Sequence, residues 1–333
     1  MTQGTEQTLE QLVDIVRAHP GVRNKAPISL VSEVLGVSDW MHGPGDDGAV
    51  VAAGDTTIVV GGEALWPPFV EADPYGAGIA AVLANVNDVA AMGAYPLAIV
   101  DTIIGREPLA RRALEGMRFA SDLYQVPIVG GHLTVRDGPP AISAFGVGRV
   151  GPPGGTGSRT GSVLSVRNAA PGQALIVACC TEGTMRPDFN FFRSFDERGR
   201  RLAGDIRVLP EVAAGGDCVA AKDISMAGLV GSLAMLLEHR RLGVTVDLEA
   251  VPRPGGVDLG VWLTTFPCVG FLLCAPPGRE TSCLEPFRRR GLGAEVVGTL
   301  DASGEIRLRR HGQVATVFDL LTEPITGLGG APA

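Results

Sequence analysis

A chain of 333 residues, 45% hydrophobic and 19% charged, is long enough for two cores of ordinary size and too apolar to stay disordered. Its formal net charge of -8 argues against a general nucleic-acid binder, which needs a basic surplus against the phosphate backbone. No run of about 18 apolar residues escapes polar interruption, so no membrane span is expected. The polar, acidic start Met-Thr-Gln-Gly-Thr-Glu does not read as a signal or transit peptide.

Taken in chain order, residues 7–18 place apolar side chains at helical spacing, and His19-Pro20-Gly21 ends that predicted helix. A second short helix is predicted over 28–36. The loop His42-Gly43-Pro44-Gly45-Asp46-Asp47-Gly48 then leads into a strand, 49–53. Gly54-Asp55 turns the chain into a second strand, 57–60, giving a β-hairpin. A long helix of small residues is predicted from Pro74 to Met92, with Asp73 as N-cap and Gly93 at its C-terminal end. A strand at 97–104, a helix at 108–124, a short strand at 127–129, a glycine turn at 130–132 and a strand at 141–150 follow. The stretch from Gly151 to Ser158 is the clearest linker, which sets the expected domains at 1–158 and 159–325.

Beyond it, 174–179 reads as an apolar strand and 183–205 as a loop excursion rich in Arg, Asp, Phe and Gly. Helices are expected near 207–220 and 226–240, the second closed by Gly243, with strands near 244–248, 268–275 and 294–299. The tail 326–333 is expected to be frayed. The six cysteines all lie in the second half, with no C-x-x-C pair. They predict buried free thiols in a reducing cytosol, not a zinc site.

Four clusters carry chemistry. Asp88, with Asn85 on the same face one turn earlier, sits in a helix with almost no other polar surface, where an ionised carboxylate is costly unless paired or metal-bound. A structural hydrogen bond or ion pair explains it equally well. Asp46-Asp47, flanked by glycines, suits a place where backbone meets a polyanion and its magnesium; an Asp-rich turn is the plainer account. Gly130-Gly131 before His132 would let backbone N–H groups face phosphates, or is simply a turn. Asp223, in Lys222-Asp223-Ile224-Ser225, would cap the following helix or reach a metal. A P-loop is absent, because neither Lys25 nor Lys222 has the G-x-x-x-x-G-K-[ST] context. Gly76-Ala77-Gly78-Ile79-Ala80-Ala81 matches the dinucleotide fingerprint only loosely, lacking the preceding strand.

Together, Gly45-Asp46-Asp47-Gly48-Ala49-Val50, the stretch Ala84-Asn85-Val86-Asn87-Asp88-Val89-Ala90-Ala91-Met92-Gly93-Ala94, Val129-Gly130-Gly131-His132, and Lys222-Asp223-Ile224-Ser225 with Gly228-Leu229 resemble the aminoimidazole ribonucleotide (AIR) synthase superfamily, or PurM-like fold. That superfamily includes AIR synthase, thiamine-monophosphate kinase, selenophosphate synthetase and the hydrogenase-maturation carbamoyl dehydratase. The resemblance implies a two-domain α/β (α+β) architecture, whose N-terminal domain builds a central β-barrel across a homodimer and whose C-terminal domain is an α/β sandwich. It implies a cytoplasmic, Mg-ATP-dependent enzyme acting on a small molecule. Asp46 or Asp47, Asp88, Asp223 and Glu63 would hold Mg²⁺. Asn85, Asn87, Gly130, Gly131 and His132 would contact the nucleotide, and Asp88, Asp223 and His132 would serve catalysis.

The departures from individual members are specific. No Cys precedes Cys179, unlike selenophosphate synthetases, and the chain ends Gly-Ala-Pro-Ala without the dehydratase's C-terminal Cys. His132 and Met226-Ala227 stand where thiamine-monophosphate kinases carry Asp and Asp-Gly, and Glu63 stands where relatives carry Asp. The expectation is an AIR synthase-related branch of unassigned substrate. A thiamine-monophosphate kinase, a non-catalytic ATP-binding regulator and a dinucleotide-dependent oxidoreductase are the alternatives. The segment Arg186–Arg201, with Asp188, Asn190 and Arg193, is either a substrate loop or a solvated surface.

Overall fold

The computed structural model describes residues 7–36, 45–151 and 163–328, and these fall into two compact units. The first unit takes residues 47–151, 163 and 195–216; the second takes 7–36, 45–46, 164–194 and 217–328. A single cut near residue 158 therefore does not describe them. Helix α1 (Leu9–Ala18) belongs to the second unit, and segment 195–216 returns to the first. Residues 42–44 of the acidic loop, 152–158 of the glycine-rich stretch and 329–333 of the tail lie outside the described residues.

The first unit is built on a five-stranded sheet of β1 (Ala49–Ala53), β2 (Thr56–Ala64), β3 (Ala94–Gly105), β4 (Ile128–Val135) and β5 (Ala141–Val150), in the order β1-β2-β5-β3-β4. Helix α2 (Pro74–Ala91) connects β2 to β3, and helix α3 (Glu107–Tyr124) makes the crossover between the parallel pair β3 and β4. As expected, Asp73 caps α2 by accepting from the Gly76 N–H at 2.8 Å, and Gly93 turns the chain at φ 74° beyond its end. The small residues of α2 have a packing cause. A Cβ on Gly78 would overlap the Ala113 carbonyl of α3, and one on Gly116 would overlap the Tyr75 carbonyl of α2.

Strand alternation puts Val59, Gly61, Ala144, Gly146, Ile99 and Asp101 on the face toward α2 and α3. Ile58, Val60, Val100, Phe145 and Val147 lie on the other face. Each of them keeps some exposure within the single chain, and Phe145 is 41% exposed. Segment 195–216 supplies three short helices, Phe195–Arg198, Leu202–Ile206 and Val208–Ala214. Arg198 there donates to both oxygens of the fully buried Asp205, at 2.9 and 2.8 Å.

The second unit carries β6 (Ala174–Cys179), β7 (Ala220–Asp223), helix α4 (Gly228–Glu238), β8 (Gly243–Asp247), β9 (Gly270–Ala275), helix α5 (Glu280–Arg289), β10 (Gly293–Asp301), β11 (Glu305–Arg310) and β12 (Gln313–Asp319). Its seven-stranded sheet runs β12-β11-β8-β10-β6-β9-β7. Strands β6, β7 and β9 are buried along their whole length. Helix α1 docks here through a Thr8/Gln11 capping box and through Arg17, which donates to the Val317 carbonyl at 2.6 Å.

Three local expectations change in this unit. The supposed loop after residue 183 contains strands Thr184–Met185 and Phe191–Arg193, which join Phe266–Pro267 in a small third sheet. Gly243 starts β8 rather than closing α4; Arg241, at φ 51°, turns the chain instead. The tail from Thr326 is not frayed at its start, because the Thr326 N–H and hydroxyl and the Gly327 N–H all donate to the buried Glu238 carboxylate at 2.9–3.2 Å. All six cysteines are buried free thiols.

Candidate metal and nucleotide site

Gly45, at φ 117°, turns the chain into Asp46 and Asp47, and the two neighbours then part company. Asp46 Oδ2 accepts from the Ser165 hydroxyl and Oδ1 from the Val166 N–H, each at 2.7 Å. Both Asp46 oxygens are thereby engaged by residues of the second unit. Asp47 stands beside Asp88, with a carboxylate oxygen of each within 4.8 Å of the other.

Gly61 of β2 explains how the pair fits over the sheet. A side chain there would press on the Asp47 carbonyl at 3.3 Å and approach the Asp88 Cβ at 4.0 Å. Gly48 is similarly confined, with Val59 2.9 Å from where its Cβ would stand. Asp88 is only 7% exposed and Asn87 is also buried. Two close carboxylates form an oxygen-only donor set, which suits a hard divalent cation such as Mg²⁺ and not zinc.

Asn85, expected at the nucleotide, spends its side chain on backbone groups. Its amide donates to the Ala81 and Ala144 carbonyls at 2.8 and 3.1 Å, and its oxygen accepts from the Gly146 N–H at 2.8 Å. With both N–H groups committed and the side chain fully buried, it pins α2 to β5 one turn before Asp88.

Gly130, Gly131 and His132 are not a turn. They lie within β4, in parallel register with Val100, Asp101 and Thr102. His132 is exposed and, by alternation, faces away from α2. The structure therefore does not bring it to the Asp47–Asp88 pair within this unit, because one strand position decides the face. Glu63, paired with Ala144, lies on the α2 side of β2 two residues beyond Gly61, and is exposed. Asp101 belongs to none of the four sequence clusters. It is a buried carboxylate in β3 held above its ordinary pKa by burial, and the signal was one acid inside an otherwise apolar strand.

Asp223 ends β7 in the second unit, 6% exposed, with the Lys222 Nζ 3.9 Å away. It is not the N-cap of α4, which begins five residues later at Gly228, behind Ala227, with no side-chain cap. An open hollow of about 400 Å³ in the first unit is lined by Glu107, Arg111, Leu114, Arg118, Leu133 and Val135. Asp47, Asp88 and Asp223 are not among the residues that line it.

Two family models match the chain. The AIR synthase related protein N-terminal domain covers residues 45–150, and the AIR synthase related protein C-terminal domain covers 197–311. The uncharacterized protein sll0787 of Synechocystis is 32% identical over 289 residues, covering 86% of this chain and 87% of that protein. The uncharacterized protein MJ0640 of Methanocaldococcus jannaschii is 28% identical, covering 96% and 99%. Phosphoribosylformylglycinamidine synthase subunit PurL of Parasynechococcus marenigrum is 28% identical over 73% of this chain but only 34% of its own length.

Among solved structures, Thermotoga maritima PurL complexed with FGAR superposes with a TM-score of 0.76 at 19% identity, covering 98% of this chain and 54% of that one. AaThiL complexed with AMPPCP and TMP superposes with a TM-score of 0.64 at 18% identity, covering 87% and 96%. At such identities the superpositions speak to the fold, which is the two-domain, mixed α/β PurM-like architecture. The chain belongs to the AIR synthase related protein family.

Proposed function

We propose that the protein is a cytoplasmic Mg-ATP-dependent enzyme that transfers the γ-phosphoryl group of ATP to, or uses it to activate, an oxygen of a small molecule. The Asp47–Asp88 carboxylate pair carries this reading. In it, Asp47 and Asp88 hold Mg²⁺, Asp223 adds a third carboxylate and Glu63 a fourth, as the family resemblance implies. Magnesium bound there would neutralise the polyphosphate charge.

The chain's own contribution is positional. Asn85 locks α2 onto β5, so the Asp88 carboxylate is aimed before any ligand arrives. Gly61 keeps side chains out of the space beneath it. Complexes of Thermotoga maritima PurL with ATP and of AaThiL with AMPPCP support ATP as the nucleotide. The uncovered, partly apolar face of the five-stranded sheet supports a homodimer in which two such faces close on each other.

The test is ADP formation across a metabolite panel that includes thiamine monophosphate, with and without Mg²⁺. Asp88→Asn should lower turnover about 100-fold or more, the scale of losing one electrostatic partner of the transition state, and leave the oligomeric state intact. Asp46→Asn should instead cost about 1–2 kcal/mol of stability and retain turnover. Unchanged ADP formation by Asp88→Asn would sink the proposal. A non-catalytic ATP-binding homologue is the second reading, favoured by His132 facing away from α2. Tight Mg-ATP binding with no ADP from any substrate would select it.

A further inference from the structure

Asp101 stands apart from the carboxylates already described. It is 7% exposed, and among the described residues no hydrogen bond or ion pair reaches it. Burial is the cause that raises its pKa. A buried acid of this kind is destabilising unless something else makes use of it.

Its surroundings show a way in. Asp101 pairs with Gly131 across the β3–β4 ladder, and a Cβ on Gly131 would lie 2.7 Å from both the Asp101 Cγ and Oδ1. Gly131 and Gly130 are exposed, and open space surrounds Gly130 where a side chain would be. Strand β4 is the edge of its sheet, so its outer backbone groups have no neighbouring strand to bind. The carboxyl is therefore covered on that side by a residue without a side chain, on a strand with no further strand beside it among the described residues.

We propose that Asp101, approached across Gly131, is a binding carboxyl for an N–H-bearing group, a primary amine or amidine, on the small molecule the enzyme acts on. A carboxylate only accepts hydrogen bonds, and a planar amidine fills both of its oxygens. A divalent cation fits this spot less well, because it wants several oxygens. The next acid on this sheet face, Glu63, lies two strands away beyond Ala144. The identity of the ligand as the enzyme's substrate rests on the proposed phosphoryl-transfer function; the reachability of the carboxyl does not.

The experiment couples the folded, full-length protein to ethanolamine with a water-soluble carbodiimide at mildly acid pH, and maps modified residues by mass spectrometry. Coupling at Asp101 is expected. Benzamidine should suppress it while surface carboxyls react as before, and Gly131→Ala should reduce it to background. Asp101→Asn should melt at the same temperature as the parent or higher. An unmodified Asp101 beside reactive surface acids, coupling that benzamidine does not touch, or a lower melting temperature for Asp101→Asn would each overturn the proposal. ADP formation plays no part in these readouts, so loss of the phosphoryl-transfer reading would show separately.

Discussion

Adjacent identical residues can have unrelated partners, and Asp46 and Asp47 are the case here. Their shared setting between glycines gave no means of telling them apart, because the difference lies in where Ser165, Val166 and Asp88 are in space. Asn85 and Asp88 share a helix face, and that much was legible from a spacing of three. Which of them is spent on backbone depended on β5. At the same scale, burial pushes the Cys274 thiol up to about 12 and the Cys179 thiol upward as well. A thiol reagent at pH 8 should therefore label essentially none of the six cysteines in the native protein, and all six in denaturant. Fast labelling before unfolding would contradict the burial.

Asp101 also sets a pH dependence. Its folded-state pKa is raised, so the native state resists ionising it. The stability it allows is fully present below the unfolded carboxyl pKa and is lost as pH rises through the folded value. Asp101→Asn should accordingly be more stable than the parent at neutral pH, with the advantage vanishing toward pH 3. Urea titrations at several pH values would measure it, and a constant difference across that range would count against it.

At the scale of elements, α2 was the best-read segment, with start, cap and end all carried by local chemistry. Its small residues also meet α3 at close range, so Gly78→Ala should cost about 1–3 kcal/mol by overpacking. Gly130→Ala, with open space around it, should be nearly neutral; equal losses in chemical denaturation would remove the packing explanation. Gly130-Gly131-His132 reads as a turn because glycine pairs usually punctuate strands. Here β3 supplies a ladder partner for each residue, and Gly131 is small because the Asp101 carboxyl occupies the adjoining space. Segment 183–205 reads as a loop for the opposite reason. Its strands and helices are too short to show a period, and a buried Arg198–Asp205 pair links the helices at Phe195–Arg198 and Leu202–Ile206.

At the scale of the molecule, chain order was a poor guide to which residues share a core. The N-terminal helix completes the second unit and 195–216 completes the first, although the glycine-rich stretch is the clearest linker in the sequence. The uncovered sheet face makes the proposed dimer testable. Phe145→Glu should shift the protein toward monomer in sedimentation velocity while leaving the fold intact by circular dichroism; an unchanged dimer would put the interface elsewhere.

Periodicity, caps and glycine punctuation are local properties, so residue order alone determined the mixed α/β class, the position of α2 and the family motifs. Which carboxylates meet, which face of β4 His132 occupies and which helix joins which core depend on contacts between residues far apart in the chain. Only the tertiary structure decided those, because a strand's side chains change face with every residue and a carboxylate's role is set by the partner that reaches it.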